Sequence, residues 1–312
     1  MPKRSHRSPK ISPAARITAA IIENLEEGTK PWVQPWRGLP VSRPLRHCGT
    51  PYRGMNTFWL WMVAEAGGFL SPYWMTYRQC AALGGQVRKG EKSTIAIFYK
   101  SYTKEIEAST GEDQESETRR VVKSYAIFNA DQCDNLPERY YPKLEVQEIE
   151  PEGREAALDS FFESVGANIR ETGSAAYYEP LLDRITMPPA HLFYGYDHYY
   201  ATLAHECSHW TGHKLRLNRN LKNRFRSAAY AAEELVAELS SAILGAELGL
   251  PVSHLDNHAS YIASWLKLLK NDDRAMLTAA ARAEEAASLL LKLGGYDAAL
   301  AEEADDELAE AA

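Results

Sequence analysis

No stretch of the 312-residue chain reaches the run of about 18 apolar residues that a transmembrane helix needs, so a membrane-spanning helix is excluded. The basic start, Met1-Pro2-Lys3-Arg4-Ser5-His6-Arg7, has no apolar core or cleavage site, and no secretory signal is expected. Cysteine is scarce. Cys48, Cys80, Cys133 and Cys207 are scattered without C-x-x-C spacing, which argues against a disulfide framework or a cysteine zinc site and suits a reducing cytosol. Internal repeats are absent. Positive charge is sparse in the second half: residues 129–312 carry 16 Lys/Arg against 31 Asp/Glu, whereas residues 1–100 carry 15 against 5. A basic portion joined to an acidic one suggests a polyanion-binding module attached to something else.

What the acidic half does contain is His205-Glu206-Cys207-Ser208-His209, an H-E-x-x-H. Residues four apart on a helix share a face, so both imidazoles can hold one metal ion, with the Glu206 carboxylate beside the water that the ion would carry. The flanks favour a helix: Asp197 is a candidate cap, no proline interrupts residues 197–211, and Gly212 follows at a plausible C-terminal end.

A hydrolytic zinc site takes three protein ligands. The extended pattern that ends in a third His fails here, because that position holds Leu215 and His213 comes two residues too early. The alternative is a carboxylate from a downstream helix. Glu234 and Glu238, in Tyr230-Ala231-Ala232-Glu233-Glu234-Leu235-Val236-Ala237-Glu238, lie four apart and share a face. Glu234 is the expected ligand, and Glu238 the expected acceptor that fixes a ligand His tautomer. Glu233 competes but is expected to point elsewhere. The spacing resembles the glutamate helix of thermolysin-like gluzincins. With it, the ligand set is His205, His209 and Glu234, the general base is Glu206, and the cofactor is one Zn2+, with Mn2+ or Co2+ as substitutes.

The organisation reads as α+β with two domains. Residues 1–136 form an N-terminal α+β DNA-binding domain with a β-hairpin, including a flexible tail at 1–10 and a mobile acidic insertion at 104–118. Its pieces are a helix from Ser12-Pro13 to Gly28, helical pieces over 51–83 broken at Gly67-Gly68 and Ser71-Pro72, and strands at 94–99 and 121–128. A Pro-rich, acidic linker is placed at 137–152. Residues 153–295 form the gluzincin-like metallopeptidase domain, with a helix at about 153–165, short strands near 167–172, 175–178 and 184–187, the H-E-x-x-H helix, the glutamate helix and two further helices. Residues 296–312 are an acidic tail.

Five of the seven tryptophans fall within the first 100 residues, among the basic excess. Single-stranded DNA is bound by basic grooves for phosphate and exposed aromatics for base stacking. The candidate platforms are Trp32, Trp36, Tyr52, Tyr73 and Tyr77. The candidate phosphate contacts are Arg37, Arg53, Arg78, Arg88, Lys89 and Lys92.

Taken in order, Pro31-Trp32, Pro35-Trp36, Tyr52-Arg53-Gly54-Met55-Asn56, Trp74-Met75-Thr76-Tyr77-Arg78-Gln79, Gly84-Gly85-Gln86-Val87-Arg88-Lys89-Gly90-Glu91, Thr202 through His213 and Tyr230 with Glu233 through Glu238 resemble the ArdC-type antirestriction proteins and the related N-terminal part of plasmid TraC-like primases. The resemblance implies an N-terminal single-stranded-DNA-binding domain, a C-terminal zincin-like metallopeptidase domain, and a role in protecting incoming plasmid DNA from host restriction during conjugation. The expected setting is a bacterial cytoplasm, the partners single-stranded DNA and a protein or peptide substrate carried on it. The rival expectation is a non-catalytic DNA-coating protein with a structural metal site, closed by a fourth ligand such as His213.

Overall fold

The computed structural model describes residues 12–28, 30, 32, 42–105, 116–141, 151–221, 227–250, 259–272 and 274–296. The flexible tail at 1–10, residues 106–115 of the acidic insertion, Trp36, Arg37 and the tail beyond 296 lie outside them. Among the described residues no helix is long and apolar enough to cross a membrane.

Helix α1 (Pro13–Glu26) starts where Ser12 accepts a hydrogen bond from the Ala15 amide, and it buries Ile17, Ile21 and Leu25 at helical spacing. The expected helical region over 51–83 divides into α2 (Met55–Gly67), strand β2 (Tyr73–Met75) and α3 (Tyr77–Ala82). Gly68 ends α2 in the left-handed conformation, φ 65°, which a glycine adopts without strain. The Thr76 and Gln79 side chains close a capping box at α3.

Strand β2 joins a four-stranded sheet in the order β1-β2-β5-β4, with β1 spanning Leu45–Arg46, β4 Thr94–Glu105 and β5 Ser116–Asn129. The β4–β5 hairpin keeps its register from Thr94↔Ile127 out to Glu105↔Ser116, so the strands take in the two ends, 104–105 and 116–118, of the segment read as an insertion. The short strands β3 (Gln86–Val87) and β6 (Cys133–Asp134) pair beside it.

The linker expectation fails at its beginning. Glu138–Tyr140 is a 3-10 turn whose Tyr140 is fully buried and donates its hydroxyl to the His47 carbonyl; residues 142–150 are outside the described set. Helix α4 (Pro151–Val165) then leads to a three-stranded sheet in the order β7-β9-β8, formed by Asn168–Glu171, Arg184–Met187 and Tyr177–Glu179. Strand β8 is an edge strand and faces α5 (Tyr196–Thr211), which carries the H-E-x-x-H. Gly195, not Asp197, occupies the N-cap; Asp197 lies inside the first turn, where its charge favours the helix dipole. Helices α6 (Ala228–Leu248), α7 (Ala259–Asn271) and α8 (Ala275–Leu293) complete the chain.

The two halves share the largest interior cluster, while two smaller ones, around Met75 and Tyr140 and around Leu60 and Trp74, belong to the N-terminal half alone. The shared cluster runs from Ile17, Ile21, Phe58 and Trp61 of the N-terminal half into Leu235, Leu239, Trp265, Leu269 and Leu290 of the C-terminal half. Across this junction the buried Arg43 guanidinium meets Glu284 of α8 at 2.9 and 2.8 Å, and it also donates to the Tyr52 carbonyl at 2.7 Å. The Gly54 amide donates to the same Glu284 carboxylate.

Candidate functional site

Helix α5 is apolar on the side that faces the core, through Leu203, Ala204 and Cys207, and this fixes its rotation so that His205 and His209 turn together toward α6. Ser227 caps α6 by accepting from the Tyr230 amide. Where the helices cross, Glu234 inserts its carboxylate between the imidazoles. Its Oε2 lies 3.7 Å from His205 Nε2, and its Oε1 lies 3.7 Å from His209 Nε2. One ligand atom from each residue falls within 4.8 Å of the other two. Three ligands at the usual 2.0–2.2 Å from a tetrahedral ion would sit roughly 3.3–3.6 Å apart, so the trio needs only a small contraction to hold one.

Glu233 departs from expectation. It does not point away: its Oε1 lies 3.4 Å from His209 Nδ1, which makes it the acceptor behind that imidazole. Arg219 holds it there, Nη2 at 2.8 Å from Oε1 and Nε at 3.1 Å from Oε2, while the same guanidinium donates to Thr211 Oγ1 and the Ser208 carbonyl. Gly212 makes room for this arm, because a Cβ there would come within 3.0 Å of Arg219 Nη2 and 2.9 Å of Leu221. Glu238 Oε2 lies 4.0 Å from His205 Nδ1, and its Oε1 accepts from Trp32 Nε1 at 3.2 Å and Lys30 Nζ at 3.3 Å. Each imidazole therefore has a carboxylate behind it as well as Glu234 in front.

The electrostatics call for a cation. Among the described residues, four buried carboxylates, Glu206, Glu233, Glu234 and Glu238, face two fixed positive groups, Arg219 and Lys30. Burial alone would raise the Glu234 carboxyl, but hydrogen bonding to His205 and the charge of both imidazoles override it and hold it down at about 2. Burial would likewise lower His209, yet Glu233, Glu234 and Glu206 carry it up to about 9. Burial pushes the Glu206 carboxyl above its ordinary value, moderated by the two imidazoles and by the Tyr178 backbone amide.

These groups line a cavity of about 680 Å3 bounded by β8, the Phe193–Tyr194 loop, His198, Tyr230 and Tyr261. The Tyr230 and Tyr261 hydroxyls lie 3.1 Å apart, and burial raises both phenols, keeping them proton donors. His213 lies outside the trio, its Nδ1 3.9 Å from Asp183. Arg219, Tyr178 and Tyr261 were missed by sequence reasoning. Arg219 sat unremarked in a basic loop, and only its place seven residues after Gly212 hinted at a return toward the helix end.

The DNA candidates separate by exposure. Trp32 is 1% exposed, packs edge-on against Trp265 at 5.7 Å and donates to Glu238, so no base can stack on it. Tyr52 is 4% exposed and is ruled out for the same reason. Tyr73 is half-buried edge-on against Tyr140 and offers no open face of that kind. Tyr77 is 52% exposed, and Arg53, Arg78, Arg88, Lys89 and Lys92 are exposed. Arg88 is shared with Glu91 at 2.9 Å and Asp134 at 3.4 Å, and Arg53 lies 3.7 Å from Glu284. Trp36 and Arg37 fall outside the described residues.

A zincin-like metallopeptidase domain is matched over residues 156–282, and the N-terminal domain of the anti-restriction factor ArdC over residues 12–128. The antirestriction ArdC protein of plasmid R388, solved metal-free, superposes with a TM-score of 0.77 at 43% identity, covering 90% of this chain and 97% of that one. Its Mn(II)-bound structure superposes at 0.75 and 43% identity, with 90% and 98% covered. The uncharacterized protein y4eC of Sinorhizobium fredii is 41% identical over 279 residues, 87% of this chain and 89% of the relative. DNA primase TraC of Escherichia coli is 38% identical over 293 residues, 88% of this chain but only 27% of the primase. The chain belongs to the ArdC family of antirestriction proteins. Its fold is the mixed helix-and-sheet arrangement of an ArdC N-terminal domain followed by a zincin-like domain.

Proposed function

We propose that this chain is a plasmid-type antirestriction protein that binds single-stranded DNA through its N-terminal half and carries a zinc-dependent peptidase centre, acting on proteins bound to the same strand during conjugation. The observation that carries the reading is the buried convergence of His205, His209 and Glu234 at the floor of an open cavity that also holds Glu206. His205, His209 and Glu234 would hold the ion. When bound, it would supply Lewis acidity, activating water and polarising a peptide carbonyl. Glu206, raised by burial and set by the Tyr178 amide, takes the proton of the attacking water and returns it to the leaving amine. Tyr230, a protonated donor beside Glu234, is placed to hydrogen-bond the carbonyl oxygen as charge develops on it. The exposed Arg53, Arg78, Arg88, Lys89 and Lys92, with Tyr77, are the assigned DNA contacts.

A structural metal would require a fourth protein ligand, and His213 is turned to Asp183, which favours the open, catalytic form. The test is Glu206→Gln, assayed on a DNA-bound protein substrate together with metal content and single-strand affinity. Cleavage is expected to fall by about 100-fold or more, as for loss of a general base, with metal and DNA binding retained. Cleavage at the wild-type rate would refute the mechanism.

A further inference from the structure

Glu238 is fully buried one turn beyond Glu234, and its two oxygens serve different halves of the chain. Oε2 faces His205 Nδ1 at 4.0 Å, beyond hydrogen-bond length; both atoms are buried, and a small contraction around a bound cation would join them. Oε1 accepts from Trp32 Nε1 at 3.2 Å and from Lys30 Nζ at 3.3 Å, donors more than two hundred residues away in sequence. Trp32 is wedged against Trp265 of α7, so the indole N–H has a fixed direction. A buried indole needs only one acceptor, and a backbone carbonyl would serve; here an ammonium converges on the same carboxylate oxygen. The Glu238 carboxylate therefore turns only by giving up two contacts, one of them between opposite charges. A ligand imidazole whose second nitrogen meets a fixed carboxylate is itself fixed in ring orientation and tautomer.

We propose that Lys30 and Trp32 are positioning residues of the metal centre: the N-terminal segment fixes Glu238, Glu238 fixes His205, and the cation affinity of the C-terminal helices is set from the N-terminal half. This rests on the reading of His205, His209 and Glu234 as the ligand set.

The test uses the full-length protein and measures Mn2+ and Zn2+ affinity by chelator competition. Glu238→Gln is expected to bind about 10–100-fold more weakly, the usual cost of losing a partner behind a ligand His. Lys30→Met and Trp32→Phe should each weaken binding in the same direction, by roughly three- to tenfold as more distant members of the same chain of contacts. The Lys30→Met/Glu238→Gln double variant should bind no more weakly than Glu238→Gln alone, because both changes interrupt one path. Melting of the chelator-treated variants checks the fold. If Trp32→Phe does not fold, Lys30→Met, which truncates a partly exposed side chain, carries the comparison. Single-variant affinities within twofold of wild type, or losses that add in the double variant, overturn the proposal. A wild-type protein that takes up no stoichiometric cation overturns the ligand set itself, and this proposal with it.

Discussion

Replacing Arg43 by Met keeps most of the side chain's aliphatic volume and removes the charge that joins the two halves. In the native protein its guanidinium donates to both Glu284 oxygens, to the Tyr52 carbonyl and, more distantly, to Thr57, and it lies 3.5 Å from Glu247. The side chains of Arg43 and Glu284 are 7% and 11% exposed, so water cannot take over the contact. Removing one partner of a buried pair leaves the other charge poorly compensated, here with only the half-exposed Arg53 3.7 Å away, at a cost of up to about 3–5 kcal/mol. For a chain of this size that corresponds to a melting point lower by roughly 5–8 °C. Arg43→Met combined with Glu284→Leu removes both charges and should recover at least half of the loss, the remainder reflecting the Gly54 amide and Tyr52 carbonyl left without that partner. Urea titration followed by circular dichroism gives the free energies, and hydrogen exchange resolved by peptide shows whether both halves lose protection together. A single variant within 1 kcal/mol of wild type, or exchange that rises in one half alone, would refute the shared interior.

Three other outcomes are expected. Glu233→Gln should weaken metal binding about 10–100-fold, and Gly212→Ala should weaken it as well, because its Cβ displaces the Arg219 arm that holds Glu233; isothermal titration reports both, and an unchanged Glu233→Gln affinity would remove Glu233 from the site. Lys89→Ala with Lys92→Ala should flatten the slope of log affinity for single-stranded DNA against log salt by about 1.4, and Tyr77→Ala should cost about 1–3 kcal/mol per stacked base; an unaltered slope would move the DNA elsewhere on the surface. Hydrogen bonding from Arg216, ahead of a smaller opposing effect of burial, holds the Asp183 carboxyl below its ordinary value, so its stabilisation is complete above about pH 4 and is lost as pH falls through the depressed value. Arg216→Met should therefore lose less stability than wild type between pH 7 and pH 2; equal losses would disconnect the pair from acid stability.

The functional helices were the most legible part of the chain, since the H-E-x-x-H and the E-x-x-x-E spacing state directly which side chains share a helical face. Strand β9 and helix α8 also fell where alternation and helical period placed them. Glu233 was not legible, because one residue of rotation turns it aside from Glu234 on an isolated helix. Only the crossing of α5 over α6 brings His209, one turn past His205, back to it. Trp32 was misjudged for a related reason. Pro-Trp units flanked by lysine have the same composition on a stacking platform and in a core, and the deciding neighbours, Glu238 and Trp265, come from distant parts of the chain. The charge asymmetry between the halves likewise gave no sign of a common interior, which is made by apolar faces that net charge does not count.

That common interior bears on inheritance. A recombination event that joined the first half of one such gene to the second half of a diverged relative would bring together an arginine and a glutamate, or an indole and a carboxylate, that had never been matched. Most chimaeras of that kind would fold poorly, so the two halves should be inherited as one unit. The 293-residue alignment with TraC, reaching across 88% of this chain inside a much longer primase, is what transfer of an unbroken unit would leave behind.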